Sequence, residues 1–86
     1  MTIDEFNDKY DEYLEPGHYG LAIGKPEVIE FLDKIFEEFI KIPEFQYSQI
    51  KLKYGYARFY CTLNGAVENM VEYKINQLVK EHDNSN

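Results

Sequence analysis

The residues best suited to binding chemistry lie together in one short segment, 49–60, with the sequence QIKLKYGYARFY. The segment contains Lys51, Lys53 and Arg58 and no acid, although the formal net charge of the chain is -7. An arginine can donate two parallel hydrogen bonds to an oxyanion, and tyrosine rings can stack on a base or on another ring. The segment is therefore suited to binding phosphate groups or an acidic partner.

The same pattern has a structural interpretation, which is the more common one. Lysine and arginine stems often cover aromatic rings on a solvated sheet face, and acids elsewhere in the chain then balance their charges. A charge pattern alone has low specificity for function. Both interpretations stay open at the level of the sequence.

No arrangement of side chains in the sequence is typical of an enzyme. Catalysis needs positioned acids, bases or nucleophiles. Cys61 alternates with Phe59 and Leu63, a pattern typical of a buried, unreactive thiol. His18 stands alone beside a turn, and the glycines match neither a P-loop nor a dinucleotide fingerprint. We therefore expect no catalytic residues, no cofactor and no enzymatic activity.

Cysteine and histidine usage also argues against a metal site. A zinc site needs ligands at characteristic spacings, and His18 and His82 lie far from the single cysteine. The first residues lack a basic region followed by an apolar run, and no apolar stretch approaches the roughly 18–20 residues of a membrane span. We expect a reduced, cytoplasmic protein without membrane association.

The acidic residues form a second candidate binding surface. Twelve of the sixteen acids lie in residues 1–44. Such a surface can mimic phosphates and occupy a basic nucleic-acid channel on another protein. The solubility of helices explains the same acids more simply. The candidate contacts are Asp4, Asp8, Asp11, Glu12 and Glu15, and then Glu30, Asp33, Glu37 and Glu38.

Helical periodicity and helix-start signals predict three helices. Thr2 and Glu5 fit a capping box, and the apolar stripe behind them predicts a helix over about 3–14. Pro26 opens a helix with a wide apolar face over about 26–41. A third apolar stripe predicts a helix over about 66–81.

Three β-rich segments complete an α+β domain. We expect strands over about 18–23, 45–53 and 57–63, with residues 54–56 turning the last two into a hairpin. A three-stranded sheet with the helices mainly on one face is the economical arrangement. If the first strand pairs in parallel with the hairpin, the helix that connects the two forms a right-handed crossover. The expected domain covers 1–81, followed by a disordered tail over 82–86.

Alternation within the hairpin separates apolar from polar side chains. Ile50 and Leu52 on the first arm, and Ala57, Phe59 and Cys61 on the second, should face the helices. The opposite face is the candidate binding surface, with Gln49, Lys51, Lys53, Tyr56, Arg58 and Tyr60.

The same segment resembles the motif Q-V-K-E-K-F-G-G-L-R-F-Y of an uncharacterised family of small phage and bacterial proteins. Leu52 replaces the usual acid and Tyr56 the second glycine. Members often continue into cysteine pairs that look like a zinc knuckle, whereas only Cys61 is present here. The resemblance implies a mobile-element origin and brings neither an activity nor a metal. The matching positions are Gln49, Lys51, Lys53, Gly55, Arg58, Phe59 and Tyr60.

Three binding functions follow as hypotheses. The favoured one is a phage-encoded or mobile-element protein that binds another protein, for example as an inhibitor of a host nucleic-acid or defence enzyme. The second is nucleic-acid or nucleotide binding through the hairpin, which the net charge of -7 opposes. The third is a self-associating structural protein or homodimer, favoured by the many tyrosines and the small core.

Overall fold

The computed structural model describes residues 1–83 of the chain. Its elements follow the predicted order and form the predicted α+β fold. They are helix α1 (Ile3–Lys9), strand β1 (Gly20–Leu21), helix α2 (Pro26–Phe39), strand β2 (Tyr47–Lys53), strand β3 (Tyr56–Cys61) and helix α3 (Gly65–Asp83).

The first helix begins as predicted but ends earlier. Thr2 and Glu5 form the capping box, with each side chain accepting a hydrogen bond from the other residue's backbone N–H. After Lys9 the chain continues as a short 3-10 helix (Asp11–Tyr13), and Leu14 then makes a parallel bridge to Tyr47. The predicted helix over 3–14 was too long because this pairing needs extended backbone at its end.

Strand β1 is shorter than the predicted segment 18–23. Gly20 and Leu21 pair in parallel with Gln49 and Ile50. The side chain of Asn7 closes the outer edge of β1, since it accepts the N–H of Leu21 at 2.9 Å and donates to its carbonyl at 3.1 Å. A Cβ on Gly20 would lie 2.7 Å from Asn7 Oδ1, and the φ of +76° also favours glycine. The close approach of α1 therefore restricts the length of β1.

The sheet has the order β1-β2-β3, with β1 parallel and β3 antiparallel to β2. The parallel pairing that the sequence left as a possibility is present, and α2 lies between the paired strands along the chain. Tyr54 (φ 55°) and Gly55 (φ 82°) form a two-residue loop in which both residues have positive φ, the pattern of a type I′ turn. Tyr56 belongs to β3 and pairs with Lys53.

Aromatic packing under one face of the sheet builds the core. Phe36 of α2 is fully buried, and its ring lies 5.0 Å from the ring of Tyr47 and 5.1 Å from that of Phe6. Ile50 and Phe59 point into this layer from the two arms of the hairpin. The apolar stripe of α3 is buried in the same core through Val71, Ile75 and Val79.

Helix α3 also covers the outer edge of β3. A step of four residues along a helix is about 6.0 Å, close to the roughly 6.6–6.8 Å of two residues along a strand. Three α3 side chains one turn apart therefore reach alternate N–H groups of the strand. The pairs are Glu68 with Cys61 (3.0 Å), Glu72 with Phe59 (2.9 Å) and Asn76 with Ala57 (2.7 Å). This edge is thus closed to an incoming strand.

The C-terminal boundary differs slightly from the prediction. Helix α3 begins after Asn64, whose side chain accepts the N–H of Val67 at 3.0 Å, and continues to Asp83. Residues 84–86, part of the predicted tail, lie outside the described residues. Among residues 1–83, no helix combines the length and apolar character needed to cross a membrane.

Candidate functional site

The hairpin places the predicted binding residues together on the sheet face opposite the core. We call this surface the hairpin face. Its residues pair across the two arms as Gln49 with Tyr60, Lys51 with Arg58, and Lys53 with Tyr56. On the other side Ile50, Ala57 and Phe59 are buried, as alternation predicted.

The cations of the hairpin face have no acidic partner within the described chain. Lys51 lies directly opposite Arg58, and like charges in this position destabilise a sheet. Arg58 Nη1 donates only to the neighbouring carbonyl of Ala57, at 3.2 Å. Lys53 Nζ lies 6.0 Å from the centroid of the Tyr54 ring. Among residues 1–80, whose side chains the structure describes, no ion pair neutralises Lys51, Lys53 or Arg58, so within this range the face retains unbalanced positive charge.

Three tyrosines extend the same surface. Tyr60 is 45% exposed, Tyr56 61% and Tyr54 at the hairpin tip 89%. Tyrosine and arginine are enriched in protein interfaces because they supply contact area together with a polar group. Tyr54 was not among the predicted site residues. The signal that could have identified it is a bulky residue before glycine in a two-residue hairpin loop, where asparagine is usual.

The acids of α2 are engaged within the chain. Glu30 pairs with Lys34 at 3.4 Å and Glu38 with Lys41 at 2.8 Å. Asp33 and Glu37 both accept from Lys9, at 2.8 Å and 3.1 Å.

Asp33 has a structural role in addition. Its carboxylate accepts a hydrogen bond of 2.6 Å from the buried hydroxyl of Tyr10. Burial raises the pKa of Asp33, but the hydrogen bonds from Lys9 and Tyr10 outweigh this effect and lower it. The α2 acids therefore form an intramolecular network rather than a free acidic surface.

The acids around α1 differ in this respect. Asp4, Asp8, Asp11 and Glu12 are exposed, and none of them forms an ion pair with another residue of the described chain. Glu15 is half-buried and lies 3.8 Å from His18 Nε2. The structure thus separates the predicted acidic residues into a set on α2 that forms ion pairs with three lysines and a set near the N-terminus, Asp4, Asp8, Asp11 and Glu12, that forms none among residues 1–80.

The surroundings of Cys61 do not activate its thiol. Burial is the main cause of a raised pKa for the Cys61 thiol, which disfavours the reactive thiolate. No group of three or more histidine, cysteine or carboxylate side chains in the described part of the chain is placed to hold a metal ion. The hairpin face and the acids near α1 remain the candidate surfaces.

Comparison with known proteins adds no further assignment. No protein-family model, no curated protein and no solved structure matches this chain. The resemblance of residues 49–60 to the phage and bacterial motif stays a prediction.

Proposed function

We propose that this protein is a non-enzymatic binding protein that contacts an acidic surface of a partner protein through its hairpin face. The observation that carries the proposal is the placement of Lys51 opposite Arg58, with no acid among residues 1–80 to balance either charge. An acidic group of the partner would offset this repulsion, and Arg58 would donate two parallel hydrogen bonds to its carboxylate. Flanking tyrosines supply the apolar contact area.

A protein partner fits the charge distribution better than a long nucleic acid. The net charge of -7 and the exposed acids near α1 repel a polyanion, and nucleic-acid affinity depends on releasing counterions at several phosphates. A protein can instead present a local acidic patch to the hairpin face. Cytoplasmic location and a mobile-element origin belong to the same proposal, on the basis of composition and the motif resemblance.

Affinity capture with matched variants tests the proposal. The hairpin-face variant carries Lys51→Glu, Lys53→Glu and Arg58→Glu. The control variant carries Asp4→Asn, Asp8→Asn and Asp11→Asn, which alter the other candidate surface. We expect partners identified by quantitative mass spectrometry to be lost with the hairpin-face variant and retained with the control. Retention of every partner by the hairpin-face variant would refute the assignment of this surface.

A second candidate function uses the acids near α1. Asp4, Asp8, Asp11 and Glu12 form no ion pair among residues 1–80, so they could mimic phosphates in the basic channel of a host nucleic-acid enzyme. The same capture experiment distinguishes this inhibitor function, because the control variant would then lose its partner.

Oligonucleotide binding through the hairpin face is tested separately. Fluorescence anisotropy with labelled single-stranded RNA and DNA should show no saturable binding up to about 100 μM protein, the weak end of non-specific affinities. Binding that Arg58→Ala abolishes would replace the protein partner by a nucleic acid.

A further inference from the structure

The tip of the hairpin carries a residue that its turn does not favour. Tyr54 has a φ of 55°, a region that bulky L-residues rarely adopt, whereas asparagine and glycine adopt it readily. Its side chain is 89% exposed, and its hydroxyl makes no hydrogen bond to another residue of the described chain. The turn geometry does not account for a tyrosine here, and within residues 1–80 the ring has one described contact, the Lys53 ammonium 6.0 Å from its centroid.

A groove lies at the opposite end of the same hairpin, where the chain enters β2 and leaves β3. It has a volume of about 770 Å³, and Ile42, Phe45 and Leu63 contribute to its apolar lining. Ile42 is 42% exposed there. The volume is within the range of sites that bind drug-sized ligands, roughly 300–1,000 Å³.

The charges at the groove complement those at the tip. Glu12 and Glu44 line the groove, and neither forms an ion pair with another described residue. Lys41 also lines it, but Glu38 balances this charge at 2.8 Å. Lys53, which precedes the tip tyrosine, is exposed and has no acidic partner among residues 1–80.

We propose that the hairpin tip of one copy of this chain binds in the groove of a second copy. The Tyr54 ring would pack on the apolar lining, and Lys53 would lie beside Glu12 and Glu44. Tip and groove lie at opposite ends of the hairpin, so the contact is heterologous and can repeat from copy to copy. Sheet-edge pairing is not the route, because Asn7 and α3 side chains occupy the edges. The contact shares Lys53 and Tyr54 with the border of the hairpin face but needs neither Lys51 nor Arg58, so it does not rest on the proposed function.

Analytical ultracentrifugation with complementary variants tests this contact. The Tyr54→Asn variant has an intact groove but lacks the tip ring that would bind in it. The Ile42→Lys variant has an intact tip but carries a lysine in the apolar lining of its groove. We expect the wild type to self-associate between about 10 μM and about 1 mM, and each variant alone to associate at least about 10-fold more weakly. An equimolar mixture of the two should form 1:1 dimers and no larger species, because only one intact tip–groove pair can form.

Both substitutions are at exposed positions, and asparagine suits the turn, so the variants should fold. Thermal unfolding checks this directly. Tyr19→Asn is the matched control, since Tyr19 is 82% exposed and lies outside both tip and groove. It should leave self-association unchanged. A wild type that stays monomeric to about 1 mM overturns the proposal and leaves the groove to another occupant. Undiminished association of Tyr54→Asn, or a mixture that stays monomeric, overturns it equally.

Discussion

Replacement of Tyr10 by phenylalanine should destabilise the protein, whereas the same replacement at Tyr47 should not. Both tyrosines are almost completely buried, at 1% and 0% exposure, so each substitution removes one buried oxygen and keeps the ring. The Tyr10 hydroxyl lies 2.6 Å from Asp33 Oδ1. The Tyr47 hydroxyl has no hydrogen-bond partner among residues 1–83. The Tyr10 hydroxyl also lies 3.0 Å from the Asp33 carbonyl oxygen, so the pair compares a hydroxyl bonded to Asp33 with one that has no described partner.

The expected magnitude follows from the character of that bond. Hydrogen bonds to charged groups contribute about 1.5–3 kcal/mol to stability. The Asp33 side chain is 24% exposed, so water can partly replace the lost donor and the lower end of this range applies. We expect Tyr10→Phe to lower the free energy of unfolding by about 1.5 kcal/mol, which for a chain of this size lowers Tm by about 6–12 °C.

Tyr47→Phe removes a hydroxyl that makes no bond to compensate for its burial. Burial, followed by the negative charge of Asp11, raises the pKa of Tyr47 to about 12, so the hydroxyl is neutral under physiological conditions. Loss of an unpaired buried hydroxyl is close to neutral or stabilising. We expect a change within about 0.5 kcal/mol of the wild type.

Urea unfolding followed by circular dichroism measures both variants against the wild type. The slope of the free energy with urea should stay the same in all three, which shows that the midpoints report stability. Equal destabilisation of the two variants would refute the reasoning, since it would mean that the ring environment, and not the bond to Asp33, determines the effect. A Tyr10→Phe variant that is as stable as the wild type would also refute the reasoning.

Two further predictions concern carboxylates. Asp33→Asn should be less stable than the wild type near neutral pH. Because folding lowers the pKa of Asp33 from its usual 3.8, the wild-type carboxylate is protonated only below that value, and the urea midpoints of the two proteins should converge there. A difference that stays constant down to the pH of acid unfolding would contradict this. Glu72→Ala should lower the free energy of unfolding in urea by about 1–3 kcal/mol, because it leaves the Phe59 N–H on the β3 edge unpaired. Glu72→Gln keeps an acceptor oxygen and should stay within about 1 kcal/mol of the wild type. Equal losses in the two variants would show that the negative charge matters and not the hydrogen bond.

The predictions that succeeded from the sequence were those that depend on local periodicity. The capping box at Thr2, the proline start of α2 and the alternation in the hairpin all correspond to the structure. Each depends on residues a few positions apart, whose relative directions are set by helix or strand geometry. The boundaries of the first helix and first strand were wrong because contacts with distant residues decide them.

For the candidate site, too, local patterns were predictable from the sequence and contacts between distant residues were not. Period-two alternation was sufficient to place Lys51 and Arg58 on one face of the sheet. It could not show that their charges lack acidic partners among residues 1–80, or that Lys9 bonds to both Asp33 and Glu37, 24 and 28 residues away. Tertiary packing alone determines such pairs, because an ion pair depends on distances of a few ångströms between segments that no local pattern relates.

The sequence by itself therefore determined the order of the elements, the buried side of each and the composition of the hairpin face. Only the tertiary structure decided which charges remain unbalanced, how α3 closes the β3 edge, and that Tyr54 occupies a positive-φ position at the exposed tip. The physical reason is that burial follows from periodicity along one segment, whereas electrostatic balance and edge pairing depend on how separate segments come together.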